Sequence, residues 1–138
     1  MLAVLLAWVS GCAAVSPQPL ASPPAQAGGA GEDWGVEVRG VRCSAAGYML
    51  DFRYRVLDPD RALPLFARGL RPYLVDEATG ARYLVPSPPK TGPLRSTNRP
   101  LAGRTYAVIF ANPGRAVAPG ALVTVVIGEF RAEHLRVE

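Results

Sequence analysis

The sequence predicts an all-β fold, an antiparallel β-sandwich of about seven strands, on the basis of three observations. Hydrophobic residues make up 49% of the 138 residues and charged residues 19%, a balance typical of globular proteins. The 14 glycines and 14 prolines favour many short strands joined by turns over long helices. From Asp33 onward, apolar and polar residues alternate with a period of two, which is the pattern of half-buried strands.

Two strands are predicted in the first part of this region. Residues 34–43 alternate, and Gly40 reverses the parity, as a β-bulge does. Residues 48–57 give the clearest alternation, and Asp58-Pro59-Asp60 ends that strand. Because Pro64 cannot sit inside a long helix, we expect about one helical turn to follow.

Five further strands are expected after this turn. Residues 73–76 and 82–85 flank a loop in which Gly80 suits the left-handed position of a hairpin. The remaining expectations are central strands at 104–110 and 122–127, which are apolar on both faces, a second bulge at Gly128, and a last strand at 130–137. The size and strand number resemble the small immunoglobulin-like domains of many bacterial lipoproteins, although the paired cysteines of antibody domains are missing.

The first residues indicate export. Residues 1–15 form an apolar run that is shorter than the roughly 20 residues of a membrane-spanning helix but fits a signal sequence. This run contains Val9-Ser10-Gly11-Cys12, which resembles the lipobox of bacterial lipoproteins, although no Lys or Arg precedes it. The resemblance implies cleavage before Cys12 and acylation of its thiol, so that Cys12 anchors the protein to a membrane. The alternative is a disulfide between Cys12 and Cys43.

Three segments follow from this interpretation. Residues 1–11 are the expected signal peptide, residues 12–31 the lipidated cysteine with a tether rich in Pro, Gly and Ala, and residues 32–138 the single β-domain. Ala13 at the second mature position resembles lipoproteins sorted to the outer membrane, which implies a location in the cell envelope facing the periplasm.

Residues 86–100 form a proline-rich segment longer than a typical connection of about 4–6 residues. It contains Lys90, Arg95 and Arg99 and no acidic residue. One interpretation is a loop that binds an acidic protein partner or an anionic surface. The other is a loop that covers an edge strand and so prevents aggregation through unpaired backbone groups.

The residue types that carry catalysis or bind metals are sparse. His134 is the one histidine and is expected to be solvated, and Cys43 is expected to be a buried, unpaired core residue and not half of a Cys–His dyad. The carboxylate pairs Asp58/Asp60 and Asp76/Glu77 lie at predicted turns, where such residues commonly bond the local backbone. We therefore expect no enzyme activity, no metal site and no cofactor.

The predicted function is correspondingly general. The formal net charge is +4, but acidic residues interleave with the basic ones and no nucleic-acid-binding module is present, so no nucleic-acid partner is expected. The first hypothesis is a membrane-anchored, non-catalytic accessory or protein-binding module. The alternative is a carrier domain for a small ligand or a metal in the cell envelope.

Overall fold

A computed structural model describes residues 31–138, whose strands form two antiparallel sheets in a sandwich-like, mainly β arrangement. The predicted signal peptide, Cys12 and all but the end of the tether lie outside the described residues. A short helix, α1, spans Pro59–Ala62. The strands are β1 (Val36–Ser44), β2 (Met49–Val56), β3 (Tyr73–Asp76), β4 (Arg82–Leu84), β5 (Thr105–Ala111), β6 (Leu122–Ile127) and β7 (Phe130–Arg136). Within residues 31–138, no helix has the length and apolar character needed to cross a membrane.

The two sheets have the strand orders β1-β2-β5 and β4-β3-β6-β7. Hairpins join β1 to β2, β3 to β4 and β6 to β7, and the other three connections cross between the sheets. On one side the sheets also meet through backbone hydrogen bonds, because Cys43 N donates to Glu138 O at 2.8 Å and Glu138 N donates to Val41 O at 2.9 Å. The sandwich is therefore closed along the β1–β7 side.

Apolar side chains from both sheets form one core. Phe52, Phe110 and Phe130 are its largest fully buried members. Tyr54, Phe66 and Tyr106 extend the core, with the Phe66 and Tyr106 rings in edge-to-face contact at 4.8 Å between centroids. Burying an aromatic side chain removes a large apolar area from water, so this cluster supplies much of the stability.

Several local predictions are confirmed. The predicted strand at 48–57 is β2, and its alternate residues Leu50, Phe52, Tyr54 and Val56 are buried. The register of β1 shifts between Val38 and Gly40, where the bulge was expected. Gly80 has φ 73°, the left-handed conformation predicted for it.

Trp34 lies outside β1, in contrast to the prediction of a strand beginning there. It ends a 3-10 turn, and the strand begins after Gly35, which has φ 61°. The Gly35 carbonyl accepts from the N–H groups of Leu57 and Asp58, and a Cβ at this position would lie 2.7 Å from Asp58 Cβ. This close approach requires glycine and redirects the chain before β1.

The bulge expected at Gly128 lies elsewhere. Ile127 pairs with Phe130, so Gly128 and its neighbour form a two-residue hairpin turn with φ 63° at the glycine. The irregularity is instead in β7, where two residues lie opposite Thr124 and His134 adopts φ 57°. Glycine in a left-handed position is common to bulges and hairpin turns, so the sequence did not distinguish them.

β5 is an edge strand of its sheet, whereas its apolar sequence predicted a central one. β6 does lie centrally, between β3 and β7, and its residues from Val123 to Ile127 are buried. The apolar residues of β5 are explained by a neighbour outside the strands, because the segment at Leu94–Arg95 pairs with its open side. An edge covered in this way tolerates the composition of an inner strand.

Cys43 is half-buried, not fully buried as predicted, and packs against the core as a free thiol in the described part of the chain. It lies in β1 directly opposite Leu50 of β2.

Candidate functional site

The proline-rich segment 86–100 folds into an ordered loop with one part attached to β5. Leu94 N donates to Pro86 O at 3.0 Å, which closes the loop on itself. Ile109 N in β5 donates to Leu94 O at 3.0 Å, and Arg95 forms a bridge with Val108. These contacts match the covering interpretation for residues 94–95. The tip around Lys90 stays exposed.

Arg95 fastens this loop to the chain between the two sheets. Its Nη1 donates to Leu65 O at 3.0 Å, and its Nη2 donates to the carbonyls of Ala67 and Leu70. The Nε atom is buried and has no hydrogen-bond partner within the described residues. Burial lowers the pKa of the Arg95 guanidinium, since the charged form loses hydration without gaining a carboxylate partner.

The three basic residues predicted to act together therefore have different roles. The guanidinium of Arg95 is occupied by backbone carbonyls and shapes the loop. Lys90 and Arg99 are exposed, and neither forms an ion pair in the part of the chain that the structure describes. A loop that binds a partner through charge would thus rely on Lys90 and Arg99.

A cleft of about 410 Å³ lies beside this loop. One wall is the segment Arg68–Pro72, and the other is the end of β4 together with the loop residues Ser87, Pro93 and Arg95. Its volume is within the range of small-ligand sites, roughly 300–1,000 Å³. Arg68, Arg71 and Arg95 line it, and none of its lining residues is acidic.

The sequence prediction did not include Arg68 or Arg71 as site residues. A signal for this basic region exists in the charge distribution, because residues 61–75 and 78–128 contain no Asp or Glu. The acids thought to interleave with the basic residues are confined to the remaining parts of the chain. The sequence does not predict that residues 68–72 fold against the loop. This contact is what brings Arg68, Arg71 and Arg95 to one cleft.

A second polar cluster joins Glu77 to β6 and β7. Glu77 Oε1 accepts from Thr124 Oγ1 and from His134 N, both at 2.8 Å, and its Oε2 lies 3.0 Å from His134 Nδ1. Burial on its own would raise the pKa of Glu77, but the hydrogen bonds from His134 and Thr124 and the charge of His134 together lower it. The cluster ties the β3–β4 turn to the bulge in β7.

The other carboxylates weighed from the sequence are structural. Asp58 caps α1 by accepting from the N–H groups of Asp60 and Arg61. Asp76 accepts from Ala78 N and Thr79 Oγ1, which shapes the hairpin turn. These local bonds are the role predicted for carboxylates at turns.

Residues 31–138 do not bring together the Cys–His pair or the metal ligands considered in the sequence analysis. No hydrogen bond joins Cys43 to His134 in this part of the chain, and the His134 ring is engaged with Glu77. The described residues contain no cluster of three or more His, Cys, Asp or Glu side chains able to hold a metal ion. The cleft, which is lined by both arginine and apolar side chains, is the feature of the described residues best suited to a ligand.

Comparison of the chain with protein-family models, with curated proteins and with solved structures finds no match.

Arg95→Met tests the fastening role of the guanidinium, because Met keeps the apolar stem and removes the donors. We expect a loss of about 2–3 kcal/mol in the free energy of unfolding, since three carbonyls lose a charged donor. Arg99→Met, at an exposed position in the same loop, is the matched control and is expected to stay within about 0.5 kcal/mol. Urea unfolding measures both, and equal stabilities would contradict the assigned role.

Glu77→Gln tests the second cluster through its pH dependence. Because the folded-state pKa of Glu77 is lowered, its contribution is complete above the ordinary value of 4.5 and is lost as the pH falls through the lower folded-state pKa. We therefore expect Glu77→Gln to destabilise the protein at about pH 7 and to destabilise it less at a pH well below 4.5. Glu129→Gln, in an exposed turn, is the control. An equal difference at both pH values would show that ionised Glu77 is not the stabilising species.

Proposed function

We propose that the protein is an exported lipoprotein, held at a membrane through acylated Cys12, whose β-domain is a non-catalytic binding module. The observation that carries the binding role is the basic cleft of about 410 Å³ beside an ordered loop. The anchoring role rests on Val9-Ser10-Gly11-Cys12 and the apolar run before it, which lie outside the described residues. Ala13 favours the outer membrane, facing the periplasm.

The strand order supports an immunoglobulin-like form of the sandwich. Seven-stranded domains of the constant type place strands A, B, E and D in one sheet and C, F and G in the other. The order β1-β2-β5 is compatible with A-B-E and the order β3-β6-β7 with C-F-G, while no strand in residues 31–138 corresponds to D. β4 lies beside β3 at the sheet edge, as C′ does in variable-type domains.

The loop tip supports docking of an acidic protein partner. Lys90 and Arg99 are exposed and unpaired within the described residues, and the loop that carries them is closed and attached to β5. Preorganised charges steer association and favour a partner of opposite sign. The second candidate, a carrier of small ligands, is favoured by the volume of the cleft.

Cys12→Ala tests the anchor. We expect wild-type protein in the membrane fraction with an intact mass that begins at Cys12 and includes acyl chains, because two or more chains hold a protein stably at a bilayer. The variant is expected to be soluble or unprocessed. Cys43→Ala is the matched control and is expected to stay in the membrane. A wild-type mature mass without acyl groups would refute the lipoprotein proposal and favour the disulfide between Cys12 and Cys43.

The double variant Lys90→Gln/Arg99→Gln tests docking through the loop. We expect its melting temperature to match wild type, because exposed charges contribute little to stability, while affinity for an oligo-glutamate peptide falls, most steeply at low salt. Arg39→Gln/Arg131→Gln removes the same net charge at exposed positions outside both the loop and the cleft and is the control. If the loop variant binds the peptide as wild type does, the docking role is refuted and the loop only covers β5. If the wild-type protein binds anionic vesicles but not the peptide, the partner is a lipid surface and not a protein.

A further inference from the structure

The cleft combines two features that specify a ligand class. Arg68 and Arg71 are exposed on one wall and form no ion pair in residues 31–138. Half of the lining residues have apolar side chains, namely Leu70, Pro72, Leu84, Val85 and Pro93. Guanidinium groups bind the oxygens of carboxylates and phosphates through paired, charge-assisted hydrogen bonds. Apolar walls bind hydrocarbon by removing it from water.

The environment of Arg95 also favours an anionic ligand in the cleft. Its guanidinium is partly buried at the cleft, its partners are neutral carbonyls, and its Nε–H has no acceptor within the described residues. A cation withdrawn from water without a counter-charge is unfavourable. With no acidic residue among those that line the cleft, an anionic ligand would supply the opposite charge that the lining lacks.

Leu84 contributes exposed apolar surface to the cleft. It lies in β4, the edge strand of its sheet, and its exposed fraction of 63% is the largest among the exposed large hydrophobic residues of the described chain. Together with Leu70 and Val85 it contributes apolar surface to the lining of the cleft. The volume of about 410 Å³ has room for roughly a dozen water-sized groups of about 30 Å³ each.

We propose that the cleft binds small amphipathic anions, in which a carboxylate or phosphate group is joined to a hydrocarbon body of about eight to ten carbons. The anionic group lies between Arg68 and Arg71, and the hydrocarbon lies against Leu84 and Leu70. The inference rests on the proposed function in one respect, since it takes the loop side of the domain as the binding side. It names the class of ligand that the carrier form of that function would hold.

The experiment is calorimetric titration of the full chain carrying Cys12→Ala, which prevents acyl chains of the protein from competing for the cleft. The probes are octyl phosphate, which carries a phosphate group, and decanoate, which carries a carboxylate. Octanol, which has the hydrocarbon without the charge, and inorganic phosphate, which has the charge without the hydrocarbon, are the half-ligand controls. We expect at least one probe to bind at a single site, and both half-ligands to bind at least tenfold more weakly, because each lacks one set of contacts.

Two double variants with the same charge change locate the site. Arg68→Gln/Arg71→Gln is expected to weaken binding by tenfold or more, since charge-assisted hydrogen bonds are lost from exposed positions that leave the fold intact. Arg39→Gln/Arg131→Gln, at exposed positions outside both the loop and the cleft, is expected to stay within about twofold of wild type. Leu84→Ser is expected to weaken the binding of octyl phosphate. Because Leu84 is exposed, the melting temperature is expected to stay unchanged.

The inference is overturned if neither probe binds, if both double variants weaken binding equally, or if inorganic phosphate binds as well as octyl phosphate. These outcomes are separable from failure of the proposed function. If the loop variant loses oligo-glutamate binding and neither amphipathic probe binds to the protein, docking through the loop is supported and the small-anion site is refuted. Absence of acylation at Cys12 would refute the membrane anchor and leave the titrations unaffected.

Discussion

The side chain of Arg95 holds together the parts of the protein that no strand pairing joins. Its guanidinium donates to the carbonyls of Leu65, Ala67 and Leu70, three groups in a segment that crosses from one sheet to the other. Its own backbone lies against β5 through the bridge to Val108. One residue therefore fixes the crossing segment, the loop and the open edge of β5 relative to one another, and the cleft lies between the parts that it fixes.

This arrangement explains an apparent conflict between composition and position in β5. The strand has the sequence of an inner strand and lies at the edge of a three-stranded sheet. An apolar edge would pair readily with other chains, and natural proteins cover such edges or place charges on them. Leu94 and Arg95 provide the cover, so the loop shields the edge of β5 as well as forming part of the cleft.

Local patterns in the sequence predicted the strands well because their physical causes are local. Alternation in residues 48–57 reports the two faces of β2, and Gly40 and Gly80 report backbone conformations that other residues avoid. The candidate site was predicted less well because its geometry depends on contacts between distant parts of the chain. Arg95 resembles any surface arginine in the sequence, yet its partners are 25 to 30 residues away. Glu77 likewise reaches Thr124 and His134 across two strands, at separations of 47 and 57 residues.

Amide hydrogen exchange in the full chain gives the most direct test of the role assigned to Arg95. The Ile109 amide donates to Leu94 O, so its protection reports whether the loop stays on β5. We expect Arg95→Met to lower the protection of Ile109 while the Cys43 amide, which donates to Glu138 O on the opposite side of the sandwich, keeps the protection it has in wild type. Unchanged protection at Ile109, or an equal loss at both amides, would contradict the claim that this arginine holds the loop and the cleft in place.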